Sequence, residues 1–379
     1  MILQETARAI VTVVEYQGQQ AVKKTFKKME LERFCEIMRI MFETPRSVRQ
    51  LAIDIDERSY VMPFYPYTLV SYMEKKDGQA DIRSLGRQLA LCLFDLWIND
   101  YYHCDLHGDN IYVTENGQLF LGDWEHIIKR EKGVPFWKSP DLIGGREVHA
   151  FWDKRGEVDI NKILGVDSRF AVNIAREALR SSLNESGGAY HERVSKGQVY
   201  GSIRVPGFEQ EGRRDPKARL DQFDVELHGK TILDLGCNAG AMSFEALNRG
   251  ALYVIGIDLI AQRIQTAKEI ASFAGLDDRA EFHKMDFDAL FLDIDRADIT
   301  FAFAIDHQTK DRGQLYDLLY RMTGELLLFE SSLQKEYKND IVFHLQQAGF
   351  KVVEYIGDST ESDRKKRCRM CFKAYKERN

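Results

Sequence analysis

Two short stretches of this 379-residue sequence combine residue types that could do chemistry. In HCDLHGDN, residues 103–110, Asp105 and Asn110 are close enough to act from one loop, and Asp123 follows in GDWE beyond a short hairpin predicted around the turn ENG. Phosphoryl transfer needs a carboxylate that accepts a hydroxyl proton, together with an amide and a carboxylate that bind Mg²⁺. We therefore take Asp105 as a candidate catalytic residue and Asn110 and Asp123 as candidate metal ligands.

The second stretch, DLGCNAG at residues 234–240, joins a continuous apolar run to a predicted helix. It resembles the glycine motif of class I S-adenosylmethionine-dependent methyltransferases. Gly236 and Gly240 let a ligand approach the backbone closely, with Asn238 between them, and the helix start offers N–H groups that have no partner within the helix. We therefore expect this loop to bind the methionine part of S-adenosyl-L-methionine.

Acidic residues end three successive predicted strands: Asp234, Asp258 and Asp286. The resemblance implies that Asp234 meets the amino group of the cofactor, that Asp258 holds the ribose hydroxyls and that Asp286 faces the adenine. A nucleotide-binding dehydrogenase is the nearest alternative, but its GxGxxG fingerprint would require glycine where this chain has Ser243. The pattern therefore predicts a doubly wound α/β fold that binds a cofactor at one edge of its sheet.

The first half of the chain resembles the protein-kinase fold, and more closely the small-molecule and lipopolysaccharide kinases, whose loops read HxDxHxxN. The resemblance implies ATP and Mg²⁺ as cofactors. Lys23, at the end of a predicted strand, would hold the phosphates, and Glu36 would pair with it, with Glu32 as the second choice. Met62 and Phe64, in MPF, would offer backbone groups to adenine. The first nine residues, where a glycine-rich lid would lie, contain no glycine, so an inactive kinase-like domain stays an alternative.

These motifs divide the sequence into two domains, in keeping with its length. We predict an α+β, bilobal kinase-like domain at residues 1–185, a linker and substrate-side cap at 186–228, and an α/β doubly wound (Rossmann-like) class I methyltransferase domain at 229–379. The linker is placed near the small, polar segment SLNESGG, residues 182–188. The end of the chain fits the antiparallel hairpin that closes a methyltransferase sheet.

The methyl acceptor is expected at the end of the predicted strand in DITFAFAIDHQTKD, where His307 is the candidate base or positioning group. Glu330 ends the following strand and is expected to face the same cleft. Aromatic and basic residues lie in or just before the cap: Tyr190, His191, Tyr200, Arg204, Arg213, Arg214 and Arg219. Arginines suit a phosphate, although a solvated helix face predicts the same composition.

Two such sites on one chain favour consecutive reactions. Phosphorylation followed by methylation resembles the bifunctional kinase–methyltransferases that cap bacterial O-antigen polysaccharide, although here the kinase-like half comes first. We therefore predict a bifunctional transferase that acts on a glycan, a glycolipid or another hydroxyl-bearing acceptor. The alternative is a methyltransferase of small molecules or RNA that carries an inactive, regulatory kinase-like domain.

Composition limits the choice of partner and compartment. The net charge of −6 argues against a protein that simply coats nucleic acid, which makes nucleic acid the less favoured partner. No signal-peptide pattern, dense cysteine pattern or apolar run near 18 residues is found, which predicts a cytoplasmic protein. The basic run at residues 364–379 suits either the edge of a sheet or a peripheral contact with a membrane. The oligomeric state is not predicted by these patterns.

Overall fold

The computed structural model describes residues 1–143, 164–188, 199–286, 294–359 and 369–377. The chain divides into two units, Met1–Ala178 and Leu179–Asn379. This division does not test the predicted domain limits at 185 and 228, which stay predictions.

Alternating β-branched residues form the antiparallel sheet with which the first unit begins. Its strands are β1 (Ile2–Glu5), β2 (Ala9–Tyr16), β3 (Gln19–Phe26), β4 (Ala52–Asp54) and β5 (Ser59–Pro63), and helix α1 (Leu31–Glu43) lies between β3 and β4 in the chain. The strand order is β1-β2-β3-β5-β4. Residues 10–26 alternate and are rich in β-branched residues on both sides of QG, which predicts a hairpin. This prediction is confirmed, because β2 pairs with β3 along its whole length.

The rest of the first unit positions the HCDLHGDN loop. Its elements are β6 (Tyr67–Thr68), α2 (Leu69–Lys76), α3 (Ile82–Ile98), β7 (Tyr101–Tyr102), β8 (Ile111–Val113), β9 (Leu119–Leu121), β10 (Ile128–Lys129) and α4 (Pro140–Ile143). The largely apolar face of residues 82–99 predicts a long helix. This prediction is confirmed by α3, which buries Leu89 and Trp97 in the core. The loop follows β7 and ends in a short 3₁₀ turn. The β8–β9 hairpin comes next, and Asp123 lies directly after it.

The second unit is built around a seven-stranded sheet. Its elements, beginning with the helix that contains the unit boundary, are α5 (Ser168–Gly188), β11 (Ile203–Val205), β12 (Phe208–Gln210), α6 (Pro216–Phe223), β13 (Thr231–Leu235), α7 (Ala241–Asn248), β14 (Tyr253–Asp258), α8 (Ala261–Ala274), β15 (Ala280–Lys284), β16 (Ala297–Phe303), α9 (Arg312–Met322), β17 (Thr323–Ser331), α10 (Lys338–Ala348), β18 (Val352–Asp358) and β19 (Met370–Tyr375). Apolar residues of the central strands, such as Leu233, Phe301 and Leu327, are fully buried, as expected for a sheet covered on both faces.

The strand order of this sheet is β15-β14-β13-β16-β17-β19-β18. Strands β13 to β17 run parallel, and β19 runs antiparallel to both of its neighbours. The predicted doubly wound fold and the predicted terminal antiparallel hairpin are therefore confirmed. The order reverses between β13 and β16, and such a switch point opens a crevice at the carboxyl ends of the strands.

The expected linker at residues 182–188 is wrong in its local structure, because these residues belong to α5. Leu183 is buried, and the hydroxyl groups of Ser182 and Thr266 lie 2.8 Å apart. Packing of this helix end against α8 thus overrides the low helix propensity of the Ser and Gly residues. None of the helices that the structure describes is long and apolar enough to cross a membrane.

Candidate active sites

The loop between β13 and α7 makes a tight turn that only a glycine-rich sequence can adopt. Gly236 and Gly240 have φ angles of 75° and 83°, and Asn238 has 54°. A Cβ atom on Gly236 would lie 2.7 Å from the side chain of Ile305, and one on Gly240 would lie 2.8 Å from that of Phe244. Both glycines are therefore required by conformation and by space. Gly236 and Asn238 line a cavity at this edge of the sheet, while Gly240 shapes the turn beside it.

Two buried carboxylates lie at the same end of the sheet. Asp234 accepts a hydrogen bond of 2.6 Å from the Ser243 hydroxyl. Burial raises the pKa of Asp234 to about 6, although that bond and the charge of an arginine oppose the effect. Asp258 accepts bonds from the backbone N–H groups of Ile260 (2.9 Å) and Asn238 (3.1 Å). The two carboxylates can therefore bind an ammonium group and a pair of hydroxyl groups from the walls of one cavity.

The predicted adenine residue, Asp286, follows β15 and is exposed. It is not among the described residues that line the cavity, and residues 287–293 lie outside the described part of the chain. The contact of Asp286 with adenine stays a prediction.

His307 also lines the cavity, from the loop after β16. Its Nδ1 is 3.1 Å from the Ser332 hydroxyl. The preceding residue, Asp306, is fully buried and accepts bonds from the Ser332 hydroxyl (2.6 Å), the Ser332 N–H (3.0 Å) and the Ser331 hydroxyl. This anchoring fixes the backbone from which His307 reaches the cavity. Whether His307 acts as a base stays a prediction.

The expectation that Glu330 faces the cleft is wrong. Its side chain is fully buried and is not part of the cavity wall. Arg219 donates two bonds to it, at 2.9 and 2.7 Å, Arg369 donates one at 2.8 Å, and Ser359 donates one at 3.1 Å. Burial alone would raise the pKa of Glu330, but the charges of Arg219 and Arg369 outweigh it and lower the pKa. Glu330 therefore anchors α6 and the start of β19 to β17.

In the first unit the structure assigns the buried ammonium group to Lys24 rather than to Lys23. Neighbouring residues of β3 point to opposite faces of the sheet. Lys24 is 7% exposed and pairs with Asp123 at 2.8 Å and Glu125 at 2.7 Å. Lys23 lies on the more open face and pairs with Glu57. The lysine that reaches Asp123 is therefore the neighbour of the predicted one, and the role of Lys23 in holding phosphates stays a prediction.

Lys24 and Asp123 each shift the pKa of the other in the direction that favours its charged form. Burial would lower the pKa of Lys24, but the negative charge of Asp123, with smaller effects from Tyr60 and Glu125, raises it. Burial would likewise raise the pKa of Asp123, and the Lys24 ammonium lowers it. Both groups of the pair are therefore charged at neutral pH.

The predicted lysine–glutamate pair with Glu36 is also wrong. Glu36 accepts bonds from Arg33 at 2.6 Å and from the Tyr101 hydroxyl at 2.8 Å. The second choice, Glu32, is not paired with a lysine among the described residues either. Glu125, two residues after Asp123, is the glutamate that reaches the buried ammonium group.

The HCDLHGDN loop holds its polar side chains in fixed positions. The Asn110 amide donates to the Asp105 carbonyl oxygen (2.9 Å) and to Asp105 Oδ2 (3.0 Å). Asp105 Oδ1 is buried and has no hydrogen-bond partner among the described residues. His103 Nε2 lies 2.8 Å from the Gly122 carbonyl, which joins this loop to the one that carries Asp123. The predicted residues Asp105, Asn110 and Asp123 are therefore brought to one region of the unit.

The other predicted residues of this unit have less distinctive surroundings. Met62 is buried in β5 and pairs with Val22, while Phe64 is 39% exposed. Contact of their backbone with adenine stays a prediction. No group of three or more His, Cys, Asp or Glu side chains in the described part of the chain could hold a metal ion. The assignment of Asn110 and Asp123 as Mg²⁺ ligands stays a prediction.

Comparison with known proteins gives independent information on the second unit. Residues 232–325 match the family model described as "Methyltransferase domain". This unit contains a stretch that matches a methyltransferase domain, and its sheet has the Rossmann-like strand order of the class I methyltransferase fold. The match covers the glycine-rich turn, both buried aspartates and the parallel strands of the methyltransferase domain up to the beginning of β17.

Curated relatives match short parts of the chain. It is 30% identical over 125 residues to a ribosomal protein L11 methyltransferase of Alteromonas mediterranea, covering 31% of this chain and 41% of that protein. It is 42% identical over 64 residues to the enzyme of the same name from an Enterobacter species, covering 17% and 21%. The chain thus spans less than half the length of these relatives.

A solved structure of magnesium protoporphyrin IX methyltransferase from Synechocystis with bound S-adenosylmethionine is also similar. The identity is 17%, the match covers 43% of this chain and 76% of that one, and the TM-score is 0.35. Because that score is low, the fold of the methyltransferase domain is assigned from its own strand order.

Several residues important to these sites were missed by sequence reasoning. Asp141 is buried and accepts the backbone N–H groups of His103 (2.8 Å) and Cys104 (3.0 Å), which holds the HCDLHGDN loop in place. Arg369 lies in the methyltransferase domain, far along the chain from the Glu330 carboxylate it contacts. Sequence reasoning gave neither residue a role, although Asp141 lies in SPDL, which resembles the end of a kinase activation segment, and Arg369 lies in the basic run.

Proposed function

We propose that this protein is an S-adenosylmethionine-dependent methyltransferase and that the cavity at the β13–β14 edge holds the cofactor. The observation that carries the proposal is the convergence of Asp234, Asp258 and the 236–240 turn on one cavity. The match of residues 232–325 to a methyltransferase family model supports it.

Each side chain has a task that follows from its surroundings. The Asp258 carboxylate is fixed by two backbone N–H groups and would accept bonds from the ribose hydroxyls. Asp234, when ionised, would bind the amino group. The open backbone at Gly236 lets the methionine part approach. When bound, S-adenosyl-L-methionine supplies an electrophilic methyl group. For a hydroxyl acceptor, His307 is placed at the cavity to take up the proton.

Binding of S-adenosylhomocysteine to the full chain tests this proposal by calorimetry. We expect Asp234→Asn and Asp258→Asn each to weaken binding at least tenfold, because each removes a charged acceptor from the site. Asp278→Asn, on the exposed turn before β15, is the matched control and should bind like the wild type. Unchanged affinity in both cavity variants would refute the assignment of the site.

A second function, phosphoryl transfer, is proposed for the first unit. It is favoured by Asp105, whose Oδ1 is buried and has no hydrogen-bond partner in the part of the chain that the structure describes. Asn110 holds this carboxylate through Oδ2, and the carboxylate is suited to accept a hydroxyl proton. Lys24 supplies a buried cation that could meet phosphate oxygens, and Asn110 and Asp123 have the oxygen atoms that Mg²⁺ prefers. Mg²⁺ would supply charge neutralisation for the phosphates of ATP. The turn before β2 contains no glycine, so it lacks the glycine-rich lid expected over the phosphates. Arg8 of this turn contacts His126 at 2.9 Å, close to the loop that carries Asp123.

Incubation with ATP and S-adenosylmethionine, each carrying its own label, tests both functions together. The acceptor panel consists of glycans, glycolipids, RNA and, because of the name of the curated relatives, ribosomal protein L11. We expect Asp105→Asn to abolish transfer of the phosphate label, whereas Asp109→Asn, an exposed residue of the same loop, should retain it. Methyl label alone in the wild type would support a methyltransferase with an inactive kinase-like domain.

The acceptor we favour is a glycan or glycolipid, which would make the protein a tailoring enzyme of polysaccharide biosynthesis that works in the cytoplasm. A peripheral membrane contact through the basic end of the chain would bring it to a lipid-linked acceptor. RNA is the less favoured acceptor because of the net charge of −6. Binding to RNA that falls steeply with salt would reverse this preference.

A further inference from the structure

The acceptor side of the methyltransferase cavity is built by two chain segments that cross closely. Arg214 N–H donates to the Tyr200 carbonyl (2.9 Å), and Ser202 N–H donates to the Arg214 carbonyl (2.8 Å). Gly212 makes this crossing feasible, since a Cβ atom there would lie 2.4 Å from the carbonyl carbon of Gly201. The crossing places Tyr200 and Arg214 side by side in the cavity wall.

Positive charge dominates this part of the cavity. Apart from Arg263, which pairs with Asp258, the arginines that line the cavity are Arg213, Arg214, Arg219 and Arg369. Arg219 and Arg369 share a single carboxylate, that of Glu330, which is buried behind the wall. The carboxylate of Asp215 also lines the cavity, but it pairs with Arg204 at 2.9 Å and caps the start of α6.

Arg214 is the half-buried arginine of this group whose charge is not balanced by a carboxylate among the described residues. Its side chain makes no ion pair with any residue in the described part of the chain, and its Nε is buried without a hydrogen-bond partner there. Burial and the nearby charges of Arg369, Arg213 and Arg219 lower the pKa of Arg214. Arg214 is half-buried, and because like charges repel, its guanidinium group beside other arginines would be stabilised by a bound anion.

We infer that Arg214, together with Arg369 and Tyr200, forms an anion-binding site and that the methyl acceptor is a molecule bearing a carboxylate or phosphate group. This inference rests on the proposed function. The planar guanidinium group of Arg214 can bind two oxygens of such a group at once, and Tyr200 and Arg369 add donors beside it. The anion would orient the acceptor toward the carboxyl edge of β13, where the cofactor loop lies. His307 also lines this cavity.

The lowered pKa of Tyr200 agrees with a positive potential at this site. Burial would raise the pKa of Tyr200, but the charges of Arg219 and Arg369, a hydrogen bond to Arg369 and the charge of Arg214 lower it. A bound anion would remove part of this effect. The pKa of Tyr200 should therefore rise on ligand binding, which ultraviolet titration of tyrosine can follow.

The test uses the full chain and two probes, inorganic phosphate and acetate, titrated by calorimetry at constant ionic strength with and without saturating S-adenosylhomocysteine. We expect the wild type to bind at least one probe with one site per chain and Arg214→Gln to weaken that binding at least tenfold. Arg214→Lys keeps the charge but not the two-pronged geometry and should fall between them. Arg249→Gln, which removes a positive charge outside the cavity, should leave anion binding unchanged.

The affinity for S-adenosylhomocysteine distinguishes a failure of the anion-site inference from a failure of the proposed function. If Arg214→Gln binds S-adenosylhomocysteine normally but loses the anion, the inference is supported, and the probe that binds distinguishes phosphate from carboxylate. If the wild type binds S-adenosylhomocysteine and neither probe, or if Arg214→Gln binds the probe equally well, the inference is overturned and the proposed function stands. Failure of the wild type to bind S-adenosylhomocysteine refutes the proposed function, while the anion titration alone still decides the site.

Discussion

Asp234 shows how one buried carboxyl group can link pH to cofactor binding. Its pKa is raised to about 6, mainly by burial. Because this folded-state pKa exceeds the usual value near 3.9, protonation of Asp234 stabilises the fold, and this contribution is lost as the pH rises from about 4 to about 6. Cofactor binding has the opposite dependence, since only the ionised carboxylate attracts an ammonium group.

We therefore expect the affinity for S-adenosylhomocysteine to fall as the pH decreases through about 6. Calorimetry between pH 5 and pH 8 measures this effect. The affinity should fall by at most roughly tenfold for each pH unit below the pKa. Asp234→Asn should bind weakly at every pH and lose the transition. A transition that persists in Asp234→Asn would assign it to another group, such as His307.

Lys24 and Lys23 are adjacent in sequence but differ in their expected contribution to stability. Removing Lys24 leaves Asp123 and Glu125 without their buried cation, so Lys24→Met should lower the free energy of unfolding by roughly 2–3 kcal/mol. Lys23 pairs with Glu57, whose side chain is 56% exposed, so Lys23→Met should cost less than about 1 kcal/mol.

Tryptophan fluorescence during urea unfolding measures this difference. The four tryptophans of the sequence, at positions 97, 124, 137 and 152, all belong to the first unit, so the signal reports on that unit. Equal midpoints for Lys24→Met and Lys23→Met would contradict the assignment of Lys24 to the buried site.

At the scale of elements, the crossing of residues 199–202 with 212–214 is the feature on which the acceptor side depends. Gly212→Ala would place a methyl group against the backbone of Gly201, at a cost of about 1–3 kcal/mol from overpacking. The β13–α7 turn lies in another segment. We therefore expect Gly212→Ala to reduce methyl transfer at least tenfold while the affinity for S-adenosylhomocysteine stays within about threefold.

A matched control for this prediction is Gly313→Ala, where the nearest atom to a new Cβ is a side-chain oxygen of Asp311 at 3.2 Å. That variant should keep both methyl transfer and cofactor affinity. Parallel loss of binding and transfer in Gly212→Ala would show that the crossing supports the whole sheet rather than the acceptor side.

The elements themselves were largely predictable from the sequence. The 10–26 hairpin, α3, the parallel strands and the glycine-rich turn all have local patterns, in which periodicity and conformational demands act over a few residues. That Lys24 rather than Lys23 is the buried lysine was not predictable, because a strand shifted by one residue exposes the opposite face, and local composition does not fix that face.

Contacts between distant residues were beyond reach for a different reason. Glu330 lies at the end of a parallel strand, which favours a position in the cleft, but its role is decided by Arg219 and Arg369, which lie 111 and 39 residues away in the chain. Asp141 holds the loop at His103 from 38 residues away. Such partners are set by the packing of elements, and no spacing in the sequence encodes them.

At the scale of the whole molecule, the two proposed functions and the anion site suggest an order of reactions. A cavity that selects an anion is suited to a group that carries a phosphate, and the proposed role of the first unit is to transfer one. Phosphorylation would then precede methylation on the same acceptor. If this order holds, a variant of the first site and a variant of the second site should differ in which labels their products carry.

We expect Asp234→Asn to release a product with the phosphate label alone, since its defect lies in cofactor binding. Asp105→Asn should release a product with neither label, because the methyl step would lack its anionic acceptor, and Asp109→Asn should give both labels. Chromatography of the doubly labelled reaction products measures all three outcomes. Supplying the Asp105→Asn variant with phosphorylated product isolated from Asp234→Asn should restore the methyl label. If Asp105→Asn instead transfers methyl groups at the wild-type rate, the anion recognised by Arg214 must belong to the original acceptor, and the two reactions are independent.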